Sequence, residues 1–414
     1  MKALFKHPWW AITAGVSAAA AGSVHGFQMS DALAFSVGPM TLRPSLGVSE
    51  AFTDNLFYQK SGPDRVSDII TTASVGMTLA LGREIPVNPW MDFFEEENNF
   101  VTLGYDLSYL AYASHSDLNA PNHTLTLKDR WKGNRLAIKG SDTYAMLTGM
   151  LGGGNNLKQS AARTIFNDNY TLDYRLSEKT SLYLNGSHAS TDYATGTPLY
   201  DIQDLRGTGG FSFKALPKTS FFGEVYYGLQ SIGSNLPAMP KGPDLTVMGG
   251  FIGANGTFTP HLTGMLKAGY EMREFSDHSP APGQPVVEAS LTHRYREKTA
   301  TSLTYSRRGV ISVQSAGVAL TSDTFTLGVD QRLGTTGQWS ANFRASAQMD
   351  GYSSSGYYAN RQDQWYRFNV GLTYQIRVWM AANLGYEYEK FSSNTPGIID
   401  YDVNRVTLRL AVGY

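Results

Sequence analysis

The residues of this chain with the clearest chemical potential are arginines and lysines that recur at every second position. Lys128, Arg130 and Lys132 alternate with Leu127 and Trp131. Because successive side chains of a β-strand point to opposite faces, this spacing places the three cations on one face. A guanidinium offers a planar fork that suits a carboxylate or a phosphate, and a wall of one charge sign concentrates ions of the opposite sign. The pattern therefore predicts a surface that attracts anions.

The same alternation elsewhere in the chain predicts a basic wall on the inner side of the structure that these strands build. Its predicted members are Lys128, Arg130, Lys132, Arg135, Lys267, Arg294, Arg296, Arg308, Arg344, Arg367, Arg405 and Arg409. A competing interpretation pairs these cations with acids on the same face, such as Asp106, Glu271, Glu288 and Asp330. Lipid rejects a charge by about 2–4 kcal/mol at mid-depth, so charged residues collect inside whether or not they act there. The sequence leaves both interpretations open.

The histidines form no evident catalytic or metal-binding constellation. None of them has the H-E-x-x-H spacing of a zinc helix. The glycine run at 152–154 lacks the lysine and the helix of a phosphate-binding loop. Cysteine is absent, which removes thiol chemistry and disulfides. His188 with Ser190 resembles the Ser/His pair that some barrel enzymes carry near the outer rim, but a rim histidine in a loop is the simpler interpretation. We therefore predict no enzyme activity, no cofactor and no metal.

The elements that would position the cations are short alternating segments. Val101, Leu103 and Tyr105 are apolar at every second position, as are Phe368 and Val370. This period predicts about 18 strands, an even number as in single-chain bacterial barrels. They are placed near 41–58, 66–83, 99–114, 122–132, 134–147, 160–177, 180–193, 203–216, 219–232, 244–258, 261–276, 285–297, 299–310, 320–333, 337–351, 363–377, 379–392 and 401–414. The predicted fold is all-β, a closed antiparallel transmembrane β-barrel.

The connections between these segments alternate in length. Tight turns are predicted at 132–134, 177–180, 259–261, 296–299, 334–337 and 375–378, with longer Gly/Pro/Asn/Ser-rich loops between them. In such barrels short turns face the periplasm and long loops face outside, so we expect both termini in the periplasm. The connection at 82–99 is long and breaks the rule; it is either a girdle-forming lead-in to the next strand or a docking or gating element. No loop is outstandingly long, which favours a wide duct.

The two ends of the chain agree with a barrel in an outer membrane. The last residues Val406, Leu408, Leu410, Val412 and Tyr414 alternate with other residues and end on an aromatic one, as in the signal by which such barrels are recognised for assembly. Residues 1–26 read as a signal peptide, with an apolar run of roughly fourteen residues that is too short to span a bilayer. We expect 27–414 to form the barrel, with only about 14 residues before the first strand, too few for a plug domain.

Two segments also resemble a known family. Residues 46–58 lead a strand into Asp54-Asn55-Leu56-Phe57, and the next strand starts at Asp68 and runs into a Thr/Ser-rich centre. This arrangement resembles the outer-membrane barrels called putative beta-barrel porin 2. The resemblance is clearest in residues 40–82 and is architectural beyond them. It implies a place beside exopolysaccharide synthesis and export machinery, and it assigns no functional residue.

These observations predict a passive channel in a bacterial outer membrane. The first expectation is secretion of an anionic extracellular polysaccharide; a general diffusion porin is the alternative, and a barrel enzyme acting on lipid or glycan at the rim is a third class. The expected partners are outer-membrane lipid, the barrel-assembly machinery, the polysaccharide cargo and periplasmic export components. A net charge of −1 gives no indication of a nucleic-acid partner.

Overall fold

The chain forms one closed antiparallel ring of 18 strands. A short additional strand pairs with the start of the first strand of the ring. The computed structural model describes residues 34–413, except 61, 64, 83–98, 152–159, 237–239, 296–297, 315–316, 336 and 354–359. The predicted signal peptide, Arg296, Tyr414 and nearly all of the long 82–99 connection lie outside the described residues. Among the described residues, no helix has the length and apolar character needed to span a bilayer.

The strands follow one another around the ring in chain order. Their bounds are β1 Phe35–Val37, β2 Met40–Thr53, β3 Asp68–Gly82, β4 Phe100–Tyr112, β5 Ala120–Lys132, β6 Leu136–Met150, β7 Ser160–Arg175, β8 Thr180–Tyr193, β9 Tyr200–Leu216, β10 Thr219–Ser234, β11 Leu245–Thr259, β12 Leu262–Phe275, β13 Gln284–Tyr295, β14 Thr299–Ile311, β15 Ala319–Leu333, β16 Trp339–Ser353, β17 Gln362–Arg377, β18 Met380–Ser393 and β19 Tyr401–Gly413. The ring closes where β19 pairs with β2, from Arg405 opposite Thr53 to Gly413 opposite Ser45.

The predicted closed antiparallel barrel is confirmed, and each predicted strand has its counterpart. The largest boundary error is at β2, which was expected to reach residue 58 but ends at Thr53. The chain leaves the sheet there because Asp54 and Asn55 turn it. The short β1 was not predicted; its three residues pair only with the start of β2.

Alternation sorts each strand into an outward and an inner face. Val406 and Leu408 of β19 are 43% and 58% exposed, and Phe52, opposite Val406, and Val48, opposite Leu410, are also exposed on β2. The residues between them point the other way. An exposed apolar stripe of this kind recurs on most of the strands, and it is the surface that a barrel presents to lipid.

The two ends of the barrel differ. One end carries the short turns, such as 217–218 and 260–261, and is called the turn end here. The other end carries the connections after β2, β4, β6, β8, β10, β12, β14, β16 and β18, and is called the loop end. This alternation of connection lengths is as predicted from the sequence.

Asp54 and Asn55 fasten the seam between the first and last strands of the ring at the loop end. The Asn55 side-chain amide donates to the backbone oxygens of Gln59, at 2.7 Å, and Asp402, at 2.9 Å, and Asn55 Oδ1 accepts from the Gln59 N–H at 2.8 Å. The Asp54 carboxylate accepts from the Asn404 backbone N–H and side-chain amide at 2.8 and 2.7 Å. The pair thus ties β2 to the beginning of β19.

Replacing Asn55 by Ala is expected to lower the free energy of unfolding by about 1–3 kcal/mol, because buried groups at the seam lose their partners. The measurement is the urea midpoint of the refolded barrel in detergent. Asn369→Ala on the inner face of β17 is the matched control, since Asn369 has no hydrogen-bonding partner among the described residues. Equal midpoints for the two variants would remove this role from Asn55.

Candidate functional site: the lumen wall

The structure places most of the predicted basic wall on the inner face. The members found there are Lys128, Arg130 and Lys132 on β5, Lys267 on β12, Arg294 on β13, Arg308 on β14, Arg344 on β16, Arg367 on β17, and Arg405 and Arg409 on β19. Arg135 lies in the β5–β6 turn at the turn end. These cations are spread around the ring, so they act as a summed field and form no compact site.

Lys267 is the most deeply buried member of the wall. Its Nζ atom lies 3.1 Å from Glu224 Oε1 and 3.0 Å from Glu288 Oε2. The same atom sits 4.1 Å from the centroid of the Phe251 ring. Two carboxylates surround Lys267, and no part of its side chain is exposed. Lys267 therefore stabilises the packing of the wall and adds little to the electrostatic field in the lumen.

Two further members of the wall are paired. Arg367 Nε lies 2.9 Å from Glu389 Oε2, and Arg405 Nη1 lies 3.1 Å from Glu387 Oε1. Tyr58, from the β2–β3 connection, is in electrostatic contact with Arg405, and burial raises the pKa of the Tyr58 phenol above its ordinary value. The pairing interpretation therefore applies to this part of the wall.

Other members have no carboxylate within ion-pair distance in the described part of the chain. Leaving aside Lys132 and Arg135 at the turn end, these are Lys128, Arg308, Arg344 and Arg409. Arg409 and Arg344 still interact electrostatically with Asp106 and Asp330, without reaching contact. We call these four the unpaired cations. They are the groups whose charge is available to a passing anion.

Several inner-face cations were missed from the sequence, among them Arg43 on β2, Arg163 on β7 and Arg206 on β9. On β9, Arg206 Cζ lies 4.9 Å from the centroid of the Tyr226 ring, and Arg206 Nη2 lies 3.9 Å from Asp204 Oδ2. The alternation of Arg206 with the exposed Leu205 would have revealed it. Its segment is rich in glycine, which weakens the apolar pattern.

Not all strand charges lie inside, contrary to the expectation that the outward face excludes them. Asp129, Asp142, Asp168 and His188 point outward on β5–β8. Asp142 accepts a hydrogen bond from Tyr170 at 2.7 Å. Asp168 accepts from the His188 backbone N–H at 2.9 Å, which satisfies part of its hydrogen-bonding capacity.

His188 and Ser190 do not assemble a nucleophilic site. His188 was expected in a loop but lies within β8, with Nδ1 3.8 Å from Asp168 Oδ2. Ser190 Oγ donates to Asp192 Oδ2 at 3.3 Å and makes no described bond to His188. A serine nucleophile needs a base within hydrogen-bonding reach. The described residues also contain no cluster of three His, Asp or Glu side chains that could hold a metal ion.

The loop end of the lumen is narrower than the loop lengths suggest. The short β14–β15 connection crosses towards β9, where the Tyr200 N–H donates to the Val313 oxygen at 2.9 Å. Arg361 Nη2 donates to Gln314 Oε1 at 3.1 Å from the opposite side. Val313 covers an apolar cluster on the inner face of β9–β15. Loop length is a poor guide to the width of the lumen here, because even a short connection packs inward against apolar side chains of the wall.

Comparison with known proteins gives one family match. The model of the family described as putative beta-barrel porin 2 matches residues 97–414. The sequence resemblance was placed mainly in residues 40–82, so the match rests on a different part of the chain. No curated protein matches this sequence.

Three solved structures from Pseudomonas aeruginosa have low similarity to the chain. The outer membrane protein opdK is 9% identical with a TM-score of 0.48, covering 90% of this chain and 99% of its own. OpdO is 14% identical with a TM-score of 0.46, covering 90% and 97%. The siderophore receptor PirA is 11% identical with a TM-score of 0.43, covering 90% and 80%. Similarity at this level supports no inference about cargo.

Proposed function

Because this chain belongs to the putative beta-barrel porin 2 family, we propose that it is a passive channel of a bacterial outer membrane that secretes an anionic extracellular polysaccharide. The observation that carries the proposal is the set of unpaired cations on the inner face. Their field raises the concentration of anions along the wall without trapping them at one point. A barrel of 16–18 strands leaves room for an aqueous channel. The family and the fold support a channel ahead of an enzyme.

A general diffusion porin for small solutes is the alternative. The specific observation in its favour is the β14–β15 connection, which joins Val313 to Tyr200 across part of the lumen. A narrowed loop end suits small solutes better than a polymer. The two functions therefore differ in the size of what passes.

Efflux from proteoliposomes separates the two functions. Vesicles are loaded with a labelled acidic oligosaccharide and, separately, with a neutral one of equal length. Secretion of an anionic polymer predicts that the acidic oligosaccharide leaves the vesicles faster than the neutral one of equal length. Vesicles loaded with small neutral sugars serve as the comparison in size. If both oligosaccharides are retained while small sugars leave, the diffusion porin is the correct assignment.

The topology proposed for the channel places the loop end outside the cell and the turn end, with both termini, in the periplasm. Single cysteines at Asp117 and Thr195 of the loop end are expected to react with a membrane-impermeant maleimide on intact cells. Cysteines at Glu178 and Lys218 of the turn end are expected to react only after the outer membrane is opened. The chain has no native cysteine, so each label reports one site. Labelling of the turn end alone on intact cells would invert the orientation.

A further inference from the structure

A pocket of about 250 Å³ opens on the inner face of β14–β17 at the loop end. Its floor is built from cross-strand neighbours in register. Arg308, Ser322 and Asp350 form one row, and Thr324, Gln348 and Trp365 form the next. The floor therefore presents hydroxyls, an amide, a carboxylate, a guanidinium and an indole within a few strand spacings of about 4.8 Å.

Two donors of this pocket have no partner among the described residues. Arg308 makes no hydrogen bond or ion pair in that part of the chain. Trp365 is 8% exposed, and its Nε1 is buried without an acceptor. The buried indole N–H of Trp365 costs about 1–3 kcal/mol while it is unsatisfied, so a ligand that supplies an acceptor is favoured.

Two acids near Arg308 have other hydrogen-bonding partners. Both oxygens of Asp350 accept from Gln348 Nε2, at 3.1 and 3.0 Å. Glu288 is held by Lys267 at 3.0 Å. Neither acid forms an ion pair with Arg308, so its guanidinium N–H groups are open to the carboxylate of a ligand.

The β14–β15 connection forms one side of the pocket. Ser312, Val313 and Gln314 line it, and Arg361 holds Gln314 in place. The guanidinium of Arg361 is itself fixed by Asp363, with Nη2 2.6 Å from Oδ2 and both side chains fully buried. The pocket is therefore preformed.

We propose that this pocket binds an acidic sugar unit, with the sugar carboxylate on Arg308 and a sugar oxygen on the indole N–H of Trp365. A guanidinium fork matches a carboxylate, and Ser322, Thr324 and Gln348 can exchange hydrogen bonds with sugar hydroxyls. An apolar ligand would leave these groups unpaired. The inference deepens the proposed function, on which it rests, by assigning a binding subsite within the lumen.

The test records transient blockades of single channels in planar bilayers by trigalacturonic acid in 1 M KCl. At this salt concentration the Debye length is about 3 Å. The summed field of the wall therefore contributes little to binding of the trimer, and direct contacts in the pocket dominate. Arg308→Gln is expected to weaken binding by about ten- to a hundred-fold, which corresponds to one charge-assisted contact. Trp365→Phe keeps an aromatic ring against Phe391 and is expected to weaken binding several-fold. Lys214→Gln, an inner-face charge change on β9 away from the pocket, is the control and is expected to leave the blockade unchanged.

The neutral galactose trimer is expected to block more weakly than the acidic one and to be unaffected by Arg308→Gln. The proposal is overturned if the wild-type channel is not blocked by the acidic trimer, or if Arg308→Gln is blocked as strongly as wild type. Ion selectivity at low salt reports on the proposed function separately. An anion-selective channel without blockade would reject the pocket alone, and a cation-selective channel would reject the anionic cargo.

Discussion

Replacing Leu410 by Asp is expected to abolish assembly of the folded barrel while leaving export across the inner membrane intact. Leu410 lies on the outward face of β19, opposite Val48 of β2 and Ala382 of β18. The substitution puts a carboxylate on the lipid face at the seam where the ring must close, and it interrupts the apolar stripe of the proposed assembly signal. Tyr414→Ala is expected to act in the same direction through loss of the aromatic anchor.

The measurement is the heat-modifiable, folded band on gels of outer-membrane fractions, with unfolded chain followed in the periplasm. Thr407→Asp is the matched control. Thr407 lies on the inner face of the same strand, opposite Ala51, where a carboxylate faces the lumen. If Leu410→Asp gives the wild-type level of folded barrel, the outward stripe has no part in assembly.

Replacing Lys128, Arg308, Arg344 and Arg409 together by Gln is expected to remove most of the anion preference of the channel while preserving the fold. None of the four is in an ion pair within the described residues, so the substitutions break no ion pair. Each single substitution is expected to matter little, because the field is a sum over the wall. The readout is the reversal potential of single channels in a salt gradient.

The control removes a pair in place of a free charge. Arg367→Gln with Glu389→Gln deletes the 2.9 Å ion pair and leaves the net charge of the wall unchanged. It is expected to keep the selectivity of the wild type, whatever it does to stability. If the pair deletion changes selectivity as much as the fourfold variant does, the distinction between paired and unpaired cations fails.

The strand pattern was readable from the sequence because alternation is a local property. A strand with lipid on one side and a lumen on the other must alternate, and Val101, Leu103 and Tyr105 do so without regard to distant residues. The inner-face positions of Lys128 and Arg130 follow from the same rule. The contacts at the seam could be predicted only in part. The sequence identifies Asp54 and Asn55 as turn residues, but their hydrogen bonds to Asp402 and Asn404 depend on the closure of the ring.

The pairing of the lumen charges was beyond the sequence for a physical reason. Lys267 of β12 meets Glu224 of β10 across the intervening β11, whose Phe251 ring lies against its ammonium group. The crossing of the lumen near Val313 depends on apolar residues from many strands. The outward Asp142 and Asp168 break the rule that lipid faces are apolar, and only the register of β6 and β7 shows that they are direct neighbours.

The most direct test of an anion-attracting lumen is the reversal potential of the wild-type channel in a tenfold KCl gradient centred near 0.1 M, where charge reaches about 10 Å. The predicted result is a potential displaced towards the equilibrium potential of chloride, with the displacement shrinking as the mean salt concentration rises. A potential displaced towards that of potassium would contradict it, and the anionic cargo would then give way to the neutral-solute porin.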